Sequence, residues 1–173
     1  DIVDTAPILA RSNKKNKIKE VVKKDNNYPV LRFGFEIEID SDFTYKRQLA
    51  IAFRGLTSGY ENGYDGEMLY KRPSDLSLKI SNRASPFVIS SIEDFNEDIE
   101  IPLHLNLDLD RKVKFKIDQL EHFDDVSVYL NDRLNNKFYN LSKEDILLDL
   151  IQGEYSDRFF KSSKSLSAPW FET

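Results

Sequence analysis

Cysteine is absent from this 173-residue chain, which removes disulfides, thiolate metal sites and cysteine nucleophiles together. The absence does not fix a compartment. A chain of this length buries roughly two-thirds of its unfolded surface in a single domain and needs no cross-links. Histidine is scarce: only His104 and His122 occur. His104 falls on the polar side of an alternating segment, and His122 lies beside Glu121, Asp124 and Asp125 near a turn. Nothing in the sequence sets a serine beside either, so both read as surface residues rather than as parts of a nucleophile–base–acid relay. The motifs G-x-S-x-G, H-E-x-x-H and the P-loop are missing, and no enzymatic activity is expected. No apolar run approaches the ~18 residues that a membrane-spanning helix needs. The opening Asp1-Ile2-Val3-Asp4 lacks the basic and apolar regions of a signal peptide, so the chain reads as a fragment or a mature product. Positive charge is in deficit. Lys and Arg number 25 against 30 Asp and Glu, a net charge of −5, which argues against a nucleic-acid partner. The one basic cluster, Lys14, Lys15, Lys17, Lys19, Lys23 and Lys24, sits in a polar N-terminal stretch and reads as a solvated linker or arm.

What the chain does have is alternation. Leu31, Phe33, Phe35, Ile37 and Ile39 alternate with Arg32, Gly34, Glu36, Glu38 and Asp40, the period of a strand with one apolar and one wet face. The same period recurs at Leu49, Ile51 and Phe53; at Leu76, Leu78 and Ile80; from Ile99 to Leu109; at Val113, Phe115 and Ile117; and at Val126, Val128 and Leu130. Phe87 to Ser91 and Tyr155 to Phe160 add two more short strands. Pro102 marks a strand start or an edge. Ser142-Lys143-Glu144-Asp145 has the look of a helix cap, but Ile146, Leu148 and Leu150 alternate, and a strand is predicted there. Many short strands without intervening helices predict an all-β fold, an antiparallel β-sandwich, jelly-roll-like, of about eight to ten strands. A closed barrel is the less favoured alternative. The expected layout is a polar linker or arm over residues 1–27, the sandwich over 28–163 and a tail over 164–173.

Between two predicted strands runs Gly55-Leu56-Thr57-Ser58-Gly59-Tyr60-Glu61-Asn62-Gly63-Tyr64-Asp65-Gly66, with four glycines in twelve residues. Glu61, Asn62, Asp65 and Glu67 are hard oxygen donors close together, the ligand chemistry of calcium, although the spacing is not that of an EF-hand. The alternative is a tight structural loop. Tyr60, Tyr64 and Tyr70 offer flat apolar faces on which a sugar ring can stack, or which simply pack on the fold.

Three segments carry a resemblance. Thr57 to Glu67, entered by Arg47-Gln48-Leu49-Ala50-Ile51-Ala52-Phe53, resembles the T-x-G-x-D-x-G-Y-D-G loop of β-sandwich modules from Bacteroidetes proteins exported by the type IX secretion system. Val128-Tyr129-Leu130-Asn131-Asp132-Arg133-Leu134, with Phe138-Tyr139-Asn140-Leu141, is similar to that family's hairpin. Gly153-Glu154-Tyr155-Ser156-Asp157-Arg158-Phe159 resembles its closing strand. Glu61 stands where the pattern has Asp, and Ser162 to Thr173 does not resemble a sorting domain. The resemblance implies a non-catalytic module of a secreted or cell-surface protein. Its partners would be neighbouring domains of the parent protein and the secretion or anchoring machinery. A carbohydrate-binding or adhesin module, assisted by calcium, is the alternative, with Tyr60 and Tyr64 as ligand-binding residues and Glu61, Asn62, Asp65 and Glu67 as metal ligands.

Overall fold

The computed structural model describes residues 27–57, 59–81 and 83–165. The arm expected over 1–27, with its basic cluster, lies outside the described residues except for its last position, as does most of the expected tail. The described residues are strands and turns without a helix, and none of their elements is a helix long and apolar enough to cross a membrane.

Eleven strands follow one another: β1 (Val30–Glu38), β2 (Thr44–Phe53), β3 (Gly66–Glu67), β4 (Asp75–Leu78), β5 (Phe87–Ile92), β6 (Ile101–Leu107), β7 (Arg111–Glu121), β8 (Val126–Asp132), β9 (Lys137–Asn140), β10 (Ile146–Leu150) and β11 (Gly153–Ser165). They form one continuous sheet in the order β10-β7-β1-β2-β5-β4-β6-β11-β8-β9, with β3 paired to β5. The sheet is nearly closed into a barrel-like shape. The all-β expectation holds. Unlike the purely antiparallel arrangement expected, β2 and β5 run parallel. The long connection between them, residues 54–86, gives the chain room for the crossover that parallel pairing requires.

Alternation builds the interior. Leu31, Phe33, Phe35 and Ile37 of β1 are fully buried, as are Leu49 and Ile51 of β2 and Val113 and Phe115 of β7. The register places Phe33 opposite Leu49 and Phe35 opposite Phe115, so the apolar faces coincide across three strands. Phe115 also lies 5.5 Å from Phe159 of β11 and 6.1 Å from Phe33, centroid to centroid. One ring thereby joins the two arms of the sheet. Burying a side chain of this size contributes roughly 1.5–3 kcal/mol.

The outer face of the same three strands carries charge. Glu36 is nearly enclosed, with Lys116 at 2.7 Å, Lys46 at 3.1 Å and Lys114 at 3.6 Å. Its hydrogen bond to Lys116, joined by Lys46 and opposed by burial, lowers its pKa to about 2. Gly34 explains how Lys116 gets there. A Cβ at Gly34 would meet the Lys116 Cγ and Cε at 2.8 Å, so the missing side chain is the slot that the lysine crosses.

The two ends of the fold differ. At one, Val30 pairs with Glu121 and Ser165 with Val126, so the described chain enters and leaves beside the β7–β8 turn. The loop after β2 starts there too, and Phe53, Phe95 and Phe123 meet edge to face at 5.1 to 5.8 Å. At the opposite end lie the β1–β2, β6–β7 and β10–β11 turns and the segment leading into β4.

Candidate functional site

The glycine-rich loop is held by its own side chains. Asp65 accepts the Glu61 N–H on Oδ2 and the Ser91 N–H on Oδ1, both at 2.7 Å. Glu61 in turn accepts the Thr57 hydroxyl on Oε1 at 2.8 Å, and its carbonyl accepts the N–H groups of Tyr64 and Asp65 at 3.1 Å. Ser91 Oγ donates to the Tyr64 carbonyl. Gly55 holds a positive φ of 68°, and a Cβ there would stand 3.0 Å from Asp94 Oδ1, so the first glycine is a geometric requirement. The loop is latched onto β5 by one carboxylate.

The residues expected as calcium ligands are only partly brought together. Glu61 and Asp65 meet through the backbone N–H of the first and the carboxylate of the second. Asn62 is exposed and its Oδ1 accepts the Tyr60 hydroxyl at 3.4 Å, while Glu67 belongs to β3, opposite Phe87. Among the described residues, no group of three or more His, Asp or Glu side chains is arranged to hold a metal ion.

The two tyrosines expected to bind a ligand are engaged by arginines. Arg83 lies 4.0 Å over the Tyr60 ring, which also tilts against Phe87 at 5.8 Å. Arg54 stands 4.5 Å from the Tyr64 ring and 4.4 Å from Tyr28. One guanidinium thus ties the loop to the segment that leads into β1, a stacked contact worth about 0.5–1 kcal/mol at an exposed site. Tyr64 keeps 46 % of its surface exposed.

Two charged fasteners lie deeper. Arg158 grips Asp132 through Nε at 2.9 Å and Nη2 at 2.8 Å, and the Asp132 side chain is fully buried. Asn135 donates to the same carboxylate at 2.8 Å. Burial pushes the Asp132 carboxyl up, and the bonds from Arg158 and Asn135 outweigh it and hold the group below the usual carboxylate range. Arg158 finds its partner across the β8–β11 pairing. The second fastener is Asp75, which accepts Arg47 Nη2 at 2.6 Å, Arg47 Nε at 2.9 Å and the Tyr45 hydroxyl at 3.0 Å. Burial and the neighbouring carboxylate push the Tyr45 hydroxyl up to about 12.

His104, expected on the surface, has a side chain only 14 % exposed. Ser156 Oγ lies 3.1 Å from its Nδ1, and Glu154 Oε1 lies 3.6 Å from its Nε2. The pairing of β11 with β6 is irregular between Tyr155 and Phe159. Burial, with Lys71 and Lys79 nearby, lowers the His104 pKa.

Sequence reading missed the far end of the fold. Six of the eleven exposed large apolar side chains among the described residues are gathered there: Ile39, Phe43, Leu69, Tyr70, Leu109 and Ile151. Leu69 is 87 % exposed and Tyr70 83 %. The loops that carry them are knitted together. Arg111 donates to the Glu38 carbonyl at 3.2 Å, Ser74 is hydrogen-bonded to Asp108, Asn106 donates to the Pro73 carbonyl, and the Gln152 N–H donates to Asp110 at 2.7 Å. Arg47 Nη2 donates to the Tyr70 carbonyl at 3.0 Å. In the sequence Ile39 and Leu109 read as the last apolar residues of alternating strands, but β1 ends at Glu38 and β6 at Leu107, so both fall in turns.

No protein-family model, curated protein or solved structure matches the chain.

Proposed function

We propose that the chain is a non-catalytic structural and interaction module of β-sandwich type, from a secreted or cell-surface bacterial protein exported by type IX secretion. One observation carries the reading: four charged residues of the motifs behind the resemblance are engaged in holding the fold. Arg47 closes on Asp75, Asp65 latches the glycine loop, and Asp132 and Arg158, from two motifs far apart in sequence, grip each other. Charged residues engaged in ion pairs and loop hydrogen bonds suit a spacer or docking platform better than a reaction centre. The sandwich form is supported by the joint between β4 and β5, a single residue pair, Leu78 with Phe87. It separates the arm β10-β7-β1-β2-β5 from the arm β4-β6-β11-β8-β9, whose inner faces meet at Phe115 and Phe159. Partners by this reading are neighbouring domains of the parent protein and the secretion or anchoring machinery.

The carbohydrate-binding alternative needs the ring faces of Tyr60 and Tyr64, and arginines stack on one face of each. A calcium site would compete with the two N–H groups that Asp65 already serves.

Export is tested in a Bacteroidetes host making the full parent protein. The protein is expected at the surface or in the medium when type IX secretion is intact and inside the cell when it is disabled. Equal export in both hosts overturns that part of the proposal. A fluorophosphonate probe tests the absence of catalysis: no labelling is expected, and labelling lost in Ser156→Ala would establish a reactive serine beside His104 instead. A melting temperature raised by calcium, with the rise lost in Asp65→Ala, would favour the alternative.

A further inference from the structure

We infer that a cavity on the outer face of β4 and β6 is an oxyanion site, which takes one phosphate or sulfate group, free or carried as an ester on a small molecule. Such a site goes beyond the spacer reading, since it gives the module a ligand of its own. Its failure leaves the export experiment untouched.

The cavity follows from the joint in the sheet. β4 and β5 share one residue pair, Leu78 with Phe87, and residues 79–86 connect them. Both ends of that connection line the cavity. Beside it, Ser77 of β4 stands opposite His104 of β6. Leu76 and Leu78 fill the interior, so alternation turns Ser77 and His104 to the outer face together. There they border a space of about 220 Å³. That is below the roughly 300–1,000 Å³ of pockets for drug-sized ligands and suits one small charged group.

The lining is chosen for an anion. Lys71, from the segment before β4, and Lys79, just after β4, both contribute to it. Neither has an ion-pair partner among the described residues, whereas Lys46, Lys114 and Lys116 converge on Glu36. Both charges reach one ring: burial lowers the His104 pKa, Glu154 opposes that, and Lys71 and Lys79 add to it. Two hydroxyls supply further donors. Ser77 is buried, and its Oγ reaches the His104 carbonyl only at 3.5 Å, a weak bond. The Ser85 hydroxyl makes no hydrogen bond among the described residues. A tetrahedral oxyanion accepts on several oxygens at once and so uses ammonium and hydroxyl donors together. One carboxylate, Glu154, also lines the cavity, 3.6 Å from His104 Nε2. Its charge works against an anion, so its removal has a definite sign.

The test adds inorganic phosphate or sulfate to the whole 173-residue chain at neutral pH and constant ionic strength, and follows the histidine ring signals by NMR. The chain carries a net charge of −5, so saturable binding of an anion requires a local site. His104 signals are expected to move and saturate, while those of His122, in the β7–β8 turn, stay in place. Lys71→Met and Lys79→Met, at exposed positions, are each expected to weaken binding about tenfold, the size of one charge-assisted hydrogen bond. Glu154→Gln is expected to tighten it, and Lys143→Met, an exposed lysine in the β9–β10 loop, to leave it unchanged. Methyl phosphate and methyl sulfate separate the two sources. Esters that bind as tightly as the free ions assign the group to a larger ligand, and exclusion of both esters assigns the free ion. His104 signals that stay in place or drift without saturating overturn the site, as does equal saturation in the Lys71→Met, Lys79→Met double variant.

Discussion

The most consequential single group is Asp132. Its carboxylate is enclosed and satisfied by Arg158 and Asn135, and removing one partner of such a pair strands the other charge without water. Asp132→Ala is expected to cost about 3–5 kcal/mol in urea unfolding. Two further side chains make stability depend on pH, in windows that do not overlap. Glu36 ionises at about 2 in the folded chain against an ordinary 4.5. Its contribution is complete above 4.5 and is lost as pH falls through about 2, because between those values the folded chain holds fewer protons than the unfolded one. Lys161 is fully buried beneath Phe53 and Phe95, and loss of hydration lowers its pKa from 10.5 to about 7. Between 7 and 10.5 the unfolded chain carries a proton that the folded chain has released, so stability rises with pH across that interval. Unfolding free energies measured over a pH series are expected to lose the acid decline in Glu36→Gln and the alkaline rise in Lys161→Met.

Among the elements, β1 and β7 matter most, since Phe115 connects β7 to β1 on one side and to β11 across the interior. Phe115→Ala is expected to cost about 3–5 kcal/mol by denaturant unfolding, the range for deleting a buried aromatic ring. The strands are also where the sequence was most readable. Every alternating segment became a strand, including Ile146–Leu150, where a cap-like Ser142 competed with the period of two and lost. Pro102 does stand near the start of β6, but β6 is interior, flanked by β4 and β11. What alternation could not convey is which strands become neighbours. The parallel β2–β5 pairing and the one-pair joint between β4 and β5 depend on where a long connection lands, and local periodicity is silent on that. The candidate site was legible as a loop and no further. The glycines and acids marked a special turn, whereas the stacking of Arg54 and Arg83 on its tyrosines comes from chain brought close only by folding.

For the whole molecule, the asymmetry of its two ends governs behaviour. Consider tension applied through the points where the chain enters and leaves. Both lie at one end, so the load falls first on Val30 against Glu121 and on Ser165 against Val126. These pairings then open in succession, as a zipper does, and each backbone hydrogen bond contributes only about 1 kcal/mol net. Attached instead by cysteines at Asp42 and Ser165, at opposite ends, the sheet must slide whole strands at once. Optical-tweezer rupture forces are expected to be lower for the natural attachment than for the engineered one, and equal forces would refute the unzipping picture. On the proposed reading, as a module of a longer protein, a fold hung in this way peels under shear before its neighbours are disturbed and acts as a mechanical fuse.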